Sequence, residues 1–504
     1  MLQSSAGPAG GYMPAISVLD KATSHVIANL PIDDAHAVHA AANLARSAQP
    51  AWAALAVKER VRLLKLARKE MLKDKDKIQR ALAQETGKVP FDVIGEMFSV
   101  CQDIGHYSRR AAKWLRPRKV GTFPLIGKKG LIYYQPYGLV GVIAPWNAPL
   151  TLAIGDALPA LYAGNAVLVK PSEITPLAVK YTIDAFNRVL PPGVLQCLIG
   201  EGPTGAALVD QVDMIAVTGS SQTGRRVMER ASRRLTPVLL ELGGKDPMIV
   251  LSDADLERAV NAAAWGACFM TGQVCMSVER IYVEKAIATE FTRLLKAKIQ
   301  AIRTGPDEHA ATAQYGPFIG PKQIDIVKAH IAQALDKGAR LETGGQQLPS
   351  ADGSHYFAPT LLAGVDHSMK IMVEETFGPV ACVMAVDDAE EAIRHANDSE
   401  FGLNASVWTR DIQRGIAIAR RIQAGNVCVN DCILNAGVQG LPFGGIKQSG
   451  VGSRHGNEHG LHAFCYTQAV MVEPRRRKKE PTWFPYSVKT AERMEKLMMF
   501  LYGR

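Results

Sequence analysis

This chain of 504 residues lacks several features, and each absence removes a class of protein. No unbroken apolar run is long enough to cross a bilayer, so no membrane-spanning helix is expected. The first thirty residues lack the basic-then-apolar layout of a secretory signal. The eight cysteines (101, 197, 268, 275, 382, 428, 432 and 465) show no metal-ligand pairing. Cys428 and Cys432 have the wrong spacing for a Cys-x-x-Cys knuckle and no partner pair, so no metal site is expected. Reduced thiols in a cytoplasmic protein are the expectation instead. There is no internal repeat, low-complexity tract or long linker. Charge of one sign is also scarce as a block. The formal net charge is +10, but its clearest concentration is Arg475-Arg-Arg-Lys-Lys479. Elsewhere the signs mix, which reads as a solvated tail and not a nucleic-acid surface.

What remains is ordinary for a soluble globular chain, with 47% hydrophobic and 21% charged residues. The length implies two or three domains. Residues 33–114 carry apolar residues at three- and four-residue spacing, a helical lead-in broken at Gly87-Lys-Val-Pro90. Residues 122–142 read as a hairpin-like insertion of the kind that pairs with another subunit. From there strands and helices alternate, as expected for two α/β domains with a cleft between them.

Several stretches carry chemistry. Pro145-Trp-Asn147 ends an apolar strand where open α/β sheets place ligands, and the Asn147 amide could donate to an oxyanion. Lys170-Pro-Ser-Glu173 ends a second buried strand; its lysine and glutamate suit the vicinal hydroxyls of a ribose, or form a surface salt bridge. Gly219-Ser-Ser-Gln-Thr-Gly224 joins a strand to a helix, a layout that can meet a phosphate. It is neither a P-loop nor the G-x-G-x-x-G fingerprint. Glu241-Leu-Gly-Gly244, followed by Cys275 in an apolar run, reads either as a base and a thiol nucleophile or as plain core.

Taken together and in order, these pieces resemble the NAD(P)-dependent aldehyde dehydrogenase superfamily over residues 15–472. Glu374-Glu-Thr-Phe-Gly-Pro-Val380 and Pro442-Phe-Gly-Gly445 complete the set. The resemblance implies an α/β fold: a Rossmann-like cofactor domain (1–118 and 140–242), an α/β catalytic domain (243–440), and a small β oligomerisation arm with a C-terminal tail (119–139 and 441–504). It implies Cys275 as nucleophile, Asn147 as oxyanion donor, and Glu241 as the base that activates water to hydrolyse a thioester. Lys170 and Glu173 would hold the adenosine ribose, Gly219, Ser220 and Gly224 would lie by the pyrophosphate, and Glu375 and Phe377 would position the nicotinamide end. Trp146, Ser172 and Leu242 belong to the same cofactor surface.

The expected cofactor is NAD, with NADP possible, because a carboxylate at Glu173 repels a 2′-phosphate. The expected partners are a small-molecule aldehyde and further copies in a homodimer or homotetramer, with no nucleic acid. Small residues at Ala148, Leu152 and Gly155 imply a bulky apolar or aromatic aldehyde. Gly452-Ser-Arg-His-Gly456 departs from the family's usual Gly-Arg-Glu and, with Trp483-Phe-Pro-Tyr486, is similar to the branch handling fatty, aromatic and coniferyl-type aldehydes. The apolar tail at 494–502 suits packing on a neighbouring subunit better than contact with an anionic membrane. The rival readings are a CoA-acylating dehydrogenase, which generally lacks the Glu241 base, and a non-catalytic protein on the same scaffold.

Overall fold

The structure, a computed structural model, describes residues 14–125, 127–305, 312–350, 353–475, 477–480 and 483–503. It divides into two compact units, one of Met1–Trp114 and Pro136–Tyr466 and the other of Leu115–Gln135 and Thr467–Arg504.

The larger unit holds two principal sheets. In the first, the parallel strands run Val238–Glu241, Met214–Thr218, Leu139–Ile143, Ala166–Lys170 and Leu195–Cys197 across the sheet. In chain order this is 5-4-1-2-3, so the direction of winding reverses between Leu139–Ile143 and Met214–Thr218. A ligand cleft belongs at that reversal, outside the carboxyl ends of the strands. Strands such as Ala166–Lys170 and Met214–Thr218 are buried along their whole length, which explains their continuous apolar character. Helix Pro149–Ala163 follows the first strand. Proline opens it, the Glu96 carboxylate accepts from the Leu150 and Thr151 N–H groups at 3.0 Å each, and Gly164 ends it in the left-handed region.

The second sheet runs Arg340–Thr343, Thr360–Ala363, Val380–Val386, Val278–Glu284, Asp246–Val250, Asn404–Trp408 and Asn426–Val429, with only the first pair antiparallel. Separate apolar clusters cover its faces, one around Ile249, Tyr282 and Phe318 and the other around Met248, Ile281 and Phe291.

Two sequence expectations need correction. Lys129–Pro136 and Leu139–Ile143 are not a hairpin. The former joins Arg118–Val120 and Cys465–Val472 in a three-stranded sheet, whereas the latter is central in the larger parallel one. The apolar run Leu139–Ile143, buried from Leu139 to Val142, needs cover on both faces, which no two-stranded arm supplies. Residues 441–466 also do not belong wholly to an arm. Gly450–Val451 pairs antiparallel with Glu241 and Leu240 and closes the edge of the first sheet. In the smaller unit, Lys128 pairs with Glu473 at 2.8 Å and with Glu480. Helix Val488–Tyr502 there has no buried residue.

Candidate active site

Two clefts open at the carboxyl ends of the first sheet and share Pro145, Trp146, Thr218, Gly219 and Ser220. One, of about 660 Å³, also takes Lys170, Ser172 and Glu173. The other, of about 580 Å³, brings Trp146, Asn147, Leu242, Cys275, Glu375 and Phe377 together. Of the residues singled out in the sequence for catalysis or cofactor binding, Glu241 and Gly224 line neither cleft, and neither do Ala148, Leu152 and Gly155. Glu241 lies beneath the second, in contact with Cys275. Gly224 is a packing glycine, where a Cβ would come within 2.7 Å of the Leu242 side chain.

In the first cleft Lys170 Nζ donates to the Pro171 carbonyl at 2.9 Å and the Gly200 carbonyl at 2.7 Å, and lies 3.6 Å from Glu173 Oε2. Burial pushes the Lys170 amine down from its usual value, and Glu173 opposes this. Ser220 caps helix Ser221–Ser232, its hydroxyl accepting from the Thr223 N–H at 3.2 Å. The start of that helix faces the cleft, a setting that favours an anion. Arg226, Arg230 and Arg233 line the same cleft, and the sequence reading passed over them. Their four- and three-residue spacing on one helix was the available signal. Arg230 is committed to Asp210 through Nε at 2.8 Å.

The second cleft is shaped by backbone. Met270, Thr271 and Gly272 take successive positive φ values of 51°, 64° and 66° just ahead of Cys275. Each non-glycine residue held there costs of order 1 kcal/mol, so surrounding contacts must fix the loop. Thr271 donates to the Gly316 carbonyl at 2.9 Å, Ser277 donates to the Gly272 carbonyl at 3.1 Å, and Gln273 accepts from the Ile319 N–H at 3.1 Å. A Cβ on Gly272 would run into the Gly378 carbonyl. The glycine pair after Glu241 has a similar cause. A Cβ on Gly243 would lie 2.5 Å from Glu375 Oε2, and one on Gly244 would strike the Cys275 carbonyl oxygen. Glu375 in turn accepts from the Gly244 N–H at 3.1 Å. Trp146 and Phe377 meet edge to face, 5.5 Å between centroids.

At the centre, Cys275 Sγ donates to Glu241 Oε1 at 3.2 Å. Burial pushes the Cys275 thiol well up, and the Glu241 charge adds to it. Burial likewise raises the Glu241 carboxyl, while Arg454 pulls it back. One Asn147 amide N–H is held by the Gln273 carbonyl at 2.9 Å. The second remains available to the cleft that Asn147 shares with Cys275. Among the described residues no cluster of three or more His, Cys, Asp or Glu suits a metal ion.

The sequence profile of the aldehyde dehydrogenase family matches residues 10–470. The chain belongs to that family. It is 40% identical to a 4,4′-diapolycopene aldehyde oxidase of Methylomonas sp over 97% of this chain and 92% of the relative. It is 38% identical to a putative NADP-dependent succinate-semialdehyde dehydrogenase of Mycobacterium ulcerans over 91% and 88%. Among solved structures, a putative aldehyde dehydrogenase from Anabaena variabilis superposes with a TM-score of 0.89 at 37% identity, covering 94% of this chain and 100% of that one. Betaine aldehyde dehydrogenase from Staphylococcus aureus, solved with NAD+, gives 0.87 at 28% identity, covering 93% of each chain. This aldehyde dehydrogenase is thus an oxidoreductase acting on aldehydes with NAD(P) as its cofactor. Among its described residues no helix is long and apolar enough to cross a membrane.

Proposed function

We propose that this aldehyde dehydrogenase converts an aldehyde irreversibly to the free carboxylic acid through a thioester on Cys275, hydrolysed with Glu241 as base. The observation that carries the reading is the 3.2 Å contact between the Cys275 thiol and the buried Glu241 carboxylate. As Sγ bonds to the aldehyde carbon, the thiol proton passes to Glu241, which gives it up to solvent before it serves as base for hydrolysis. The free Asn147 N–H and the Cys275 backbone N–H then receive the negative charge on oxygen.

Two adjoining clefts, a helix start and a Lys170–Glu173 pair fit an extended dinucleotide. Lys170 and Glu173 would hold its adenosine ribose, with Ser172 beside them. Gly219 and Ser220, ahead of the helix that Gly224 packs down, would meet the pyrophosphate. Leu242, Glu375, Phe377 and Trp146 would wall the nicotinamide end. Bound there, the cofactor supplies the hydride acceptor for the oxidation. Glu173 supports NAD as the preferred form, whereas Arg226 and Arg233 in the same cleft leave room for a 2′-phosphate.

Small residues at Ala148 and Gly155, with the non-aromatic Leu152 between them, support a bulky apolar aldehyde, and so does the diapolycopene aldehyde relative. At Gly155 the room is limited, since a Cβ there would already lie 3.6 Å from Asp103 Oδ2. The three-stranded sheet supports assembly into a dimer or tetramer through an outer strand. Stopped-flow NADH formation with Glu241→Gln and Cys275→Ala tests the chemistry. The glutamine variant should give one equivalent of NADH and then stall, and the alanine variant none. CoA-dependent turnover in the wild type would sink the hydrolytic reading.

A further inference from the structure

Three residues distant in the chain converge behind Glu241. Asp103 comes from helix Pro90–Trp114, Asp156 from helix Pro149–Ala163, and Arg454 from the short strand Arg454–His455. Arg454 Nη2 lies 3.3 Å from Asp156 Oδ2 and 3.6 Å from Glu241 Oε2, and also donates to Thr218 Oγ1. The side chains are almost wholly enclosed, with 7% of Arg454 and 3% each of Asp156 and Glu241 exposed. Yet the cluster is incompletely bonded. Glu241 Oε2, Arg454 Nε and Asp103 Oδ1 are buried without a hydrogen-bond partner.

One cation thus serves three buried carboxyl groups. Burial pushes all three up, and in each case Arg454 opposes that rise. Cys275 faces Glu241 from the cleft side, Arg454 and Asp156 face it from behind, and Glu375 acts from farther off. His455, next to Arg454, is held neutral because burial lowers it to about 3. His106 is likewise lowered by burial. A purely structural arginine would be expected to spend its donors on fixed partners. This one instead stands between the candidate base and a carboxylate that competes for it.

We propose that Arg454 is a positioning residue for thioester hydrolysis, holding Glu241 ionised and aimed at the Cys275 acyl group, while Asp156 moderates its pull. The inference rests on Glu241 being the base. In the step concerned, a water O–H bond breaks as its oxygen bonds to the acyl carbon, and the proton passes to Glu241. The carbon–sulfur bond then breaks, the electron pair leaves with Cys275 sulfur, and the proton on Glu241 returns to that thiolate. A neutral Glu241 cannot accept the first proton, so loss of Arg454 should slow the step most on the acidic side.

The test uses full-length protein and p-nitrophenyl acetate without cofactor. Cys275 sulfur bonds to the acetyl carbon and p-nitrophenolate leaves, giving the acetyl-enzyme, whose lifetime is followed by intact mass spectrometry from pH 5 to 9. Arg454→Gln should lengthen the lifetime about tenfold near neutrality and move the pH midpoint up by about one unit. Arg454→Lys should stay near the wild-type midpoint. Asp156→Asn should move it down, because the competing carboxylate is gone. An Arg454→Gln profile matching wild type overturns the inference, and so does an Asp156→Asn midpoint that rises or stays put. If Arg454→Gln fails to fold, the lysine and Asp156→Asn profiles decide. Glu241→Gln is the reference: a wild-type lifetime there would overturn the assignment of the base itself, independently of Arg454.

Discussion

Glu241 and Glu279 are buried to the same extent, each 3% exposed, beside the turn at residues 242–245. Glu279 Oε1 accepts from the Phe377 N–H at 3.1 Å, while Oε2 accepts from the Thr376 N–H at 2.9 Å and from Lys245. Both of its oxygens are occupied. Glu241 has the Cys275 thiol on one oxygen, no hydrogen bond on the other, and an arginine at 3.6 Å. Burial therefore does not separate structure from chemistry here; saturation does. A carboxylate whose lone pairs are filled holds Phe377, Thr376 and Lys245 in place. One left half-filled beneath a cleft, against the thiol that lines it, retains basicity for a passing proton.

This contrast can be broken from either side. The largest effect expected on activity is Cys275→Ala, which should lower aldehyde oxidation by more than about a thousandfold and leave the melting temperature almost unchanged. Glu241→Gln should slow acyl-enzyme hydrolysis about 10² to 10⁴-fold, yet change unfolding free energy in denaturant by no more than about 1 kcal/mol. Glu279→Gln should behave in the opposite way. It strands the Lys245 ammonium, which has no exposed surface, and should cost about 3–5 kcal/mol in the same denaturant measurement. Equal stability losses in the two glutamine variants would erase the distinction.

Smaller effects sharpen it. Burial pushes the Glu375 carboxyl up to about 8. The folded protein therefore keeps this proton over a pH range in which the unfolded chain has released it, so its contribution to stability falls as pH rises from about 4.3 toward that value. Glu375→Gln should flatten the fall, read from denaturant midpoints across pH 5–8. Glu173→Gln should shift the NADP-to-NAD preference by only about threefold in kcat/KM, as its carboxylate is partly exposed.

Much of the site was legible because its chemistry uses short contiguous stretches. Glu241 with its two glycines, Pro145-Trp-Asn147 and Lys170-Pro-Ser-Glu173 each bring their residues to the clefts or just beneath them from within a few positions. The βα alternation likewise foretold parallel sheets. Arg454 was different. Its segment stood out in sequence only as a departure from the usual Gly-Arg-Glu, and its partners lie 298 and 351 positions away, at Asp156 and Asp103. The antiparallel pairing of Gly450–Val451 with the Glu241 strand brings this segment to Glu241. The apparent hairpin at residues 122–142 misled for a related reason. Neighbouring strands need not pair, and burial of Leu139–Ile143 on both faces sends it to the centre of a sheet.

On this reading the half-bonded Glu241 activates the water that releases the acid. A rapid-mixing experiment on Glu241→Gln with NAD and an aldehyde it binds, quenched and weighed by intact mass spectrometry, addresses it most directly. A stoichiometric burst of NADH is expected, with the acyl group accumulating on Cys275. Steady NADH production at the wild-type rate, with Cys275 unmodified throughout, would contradict it.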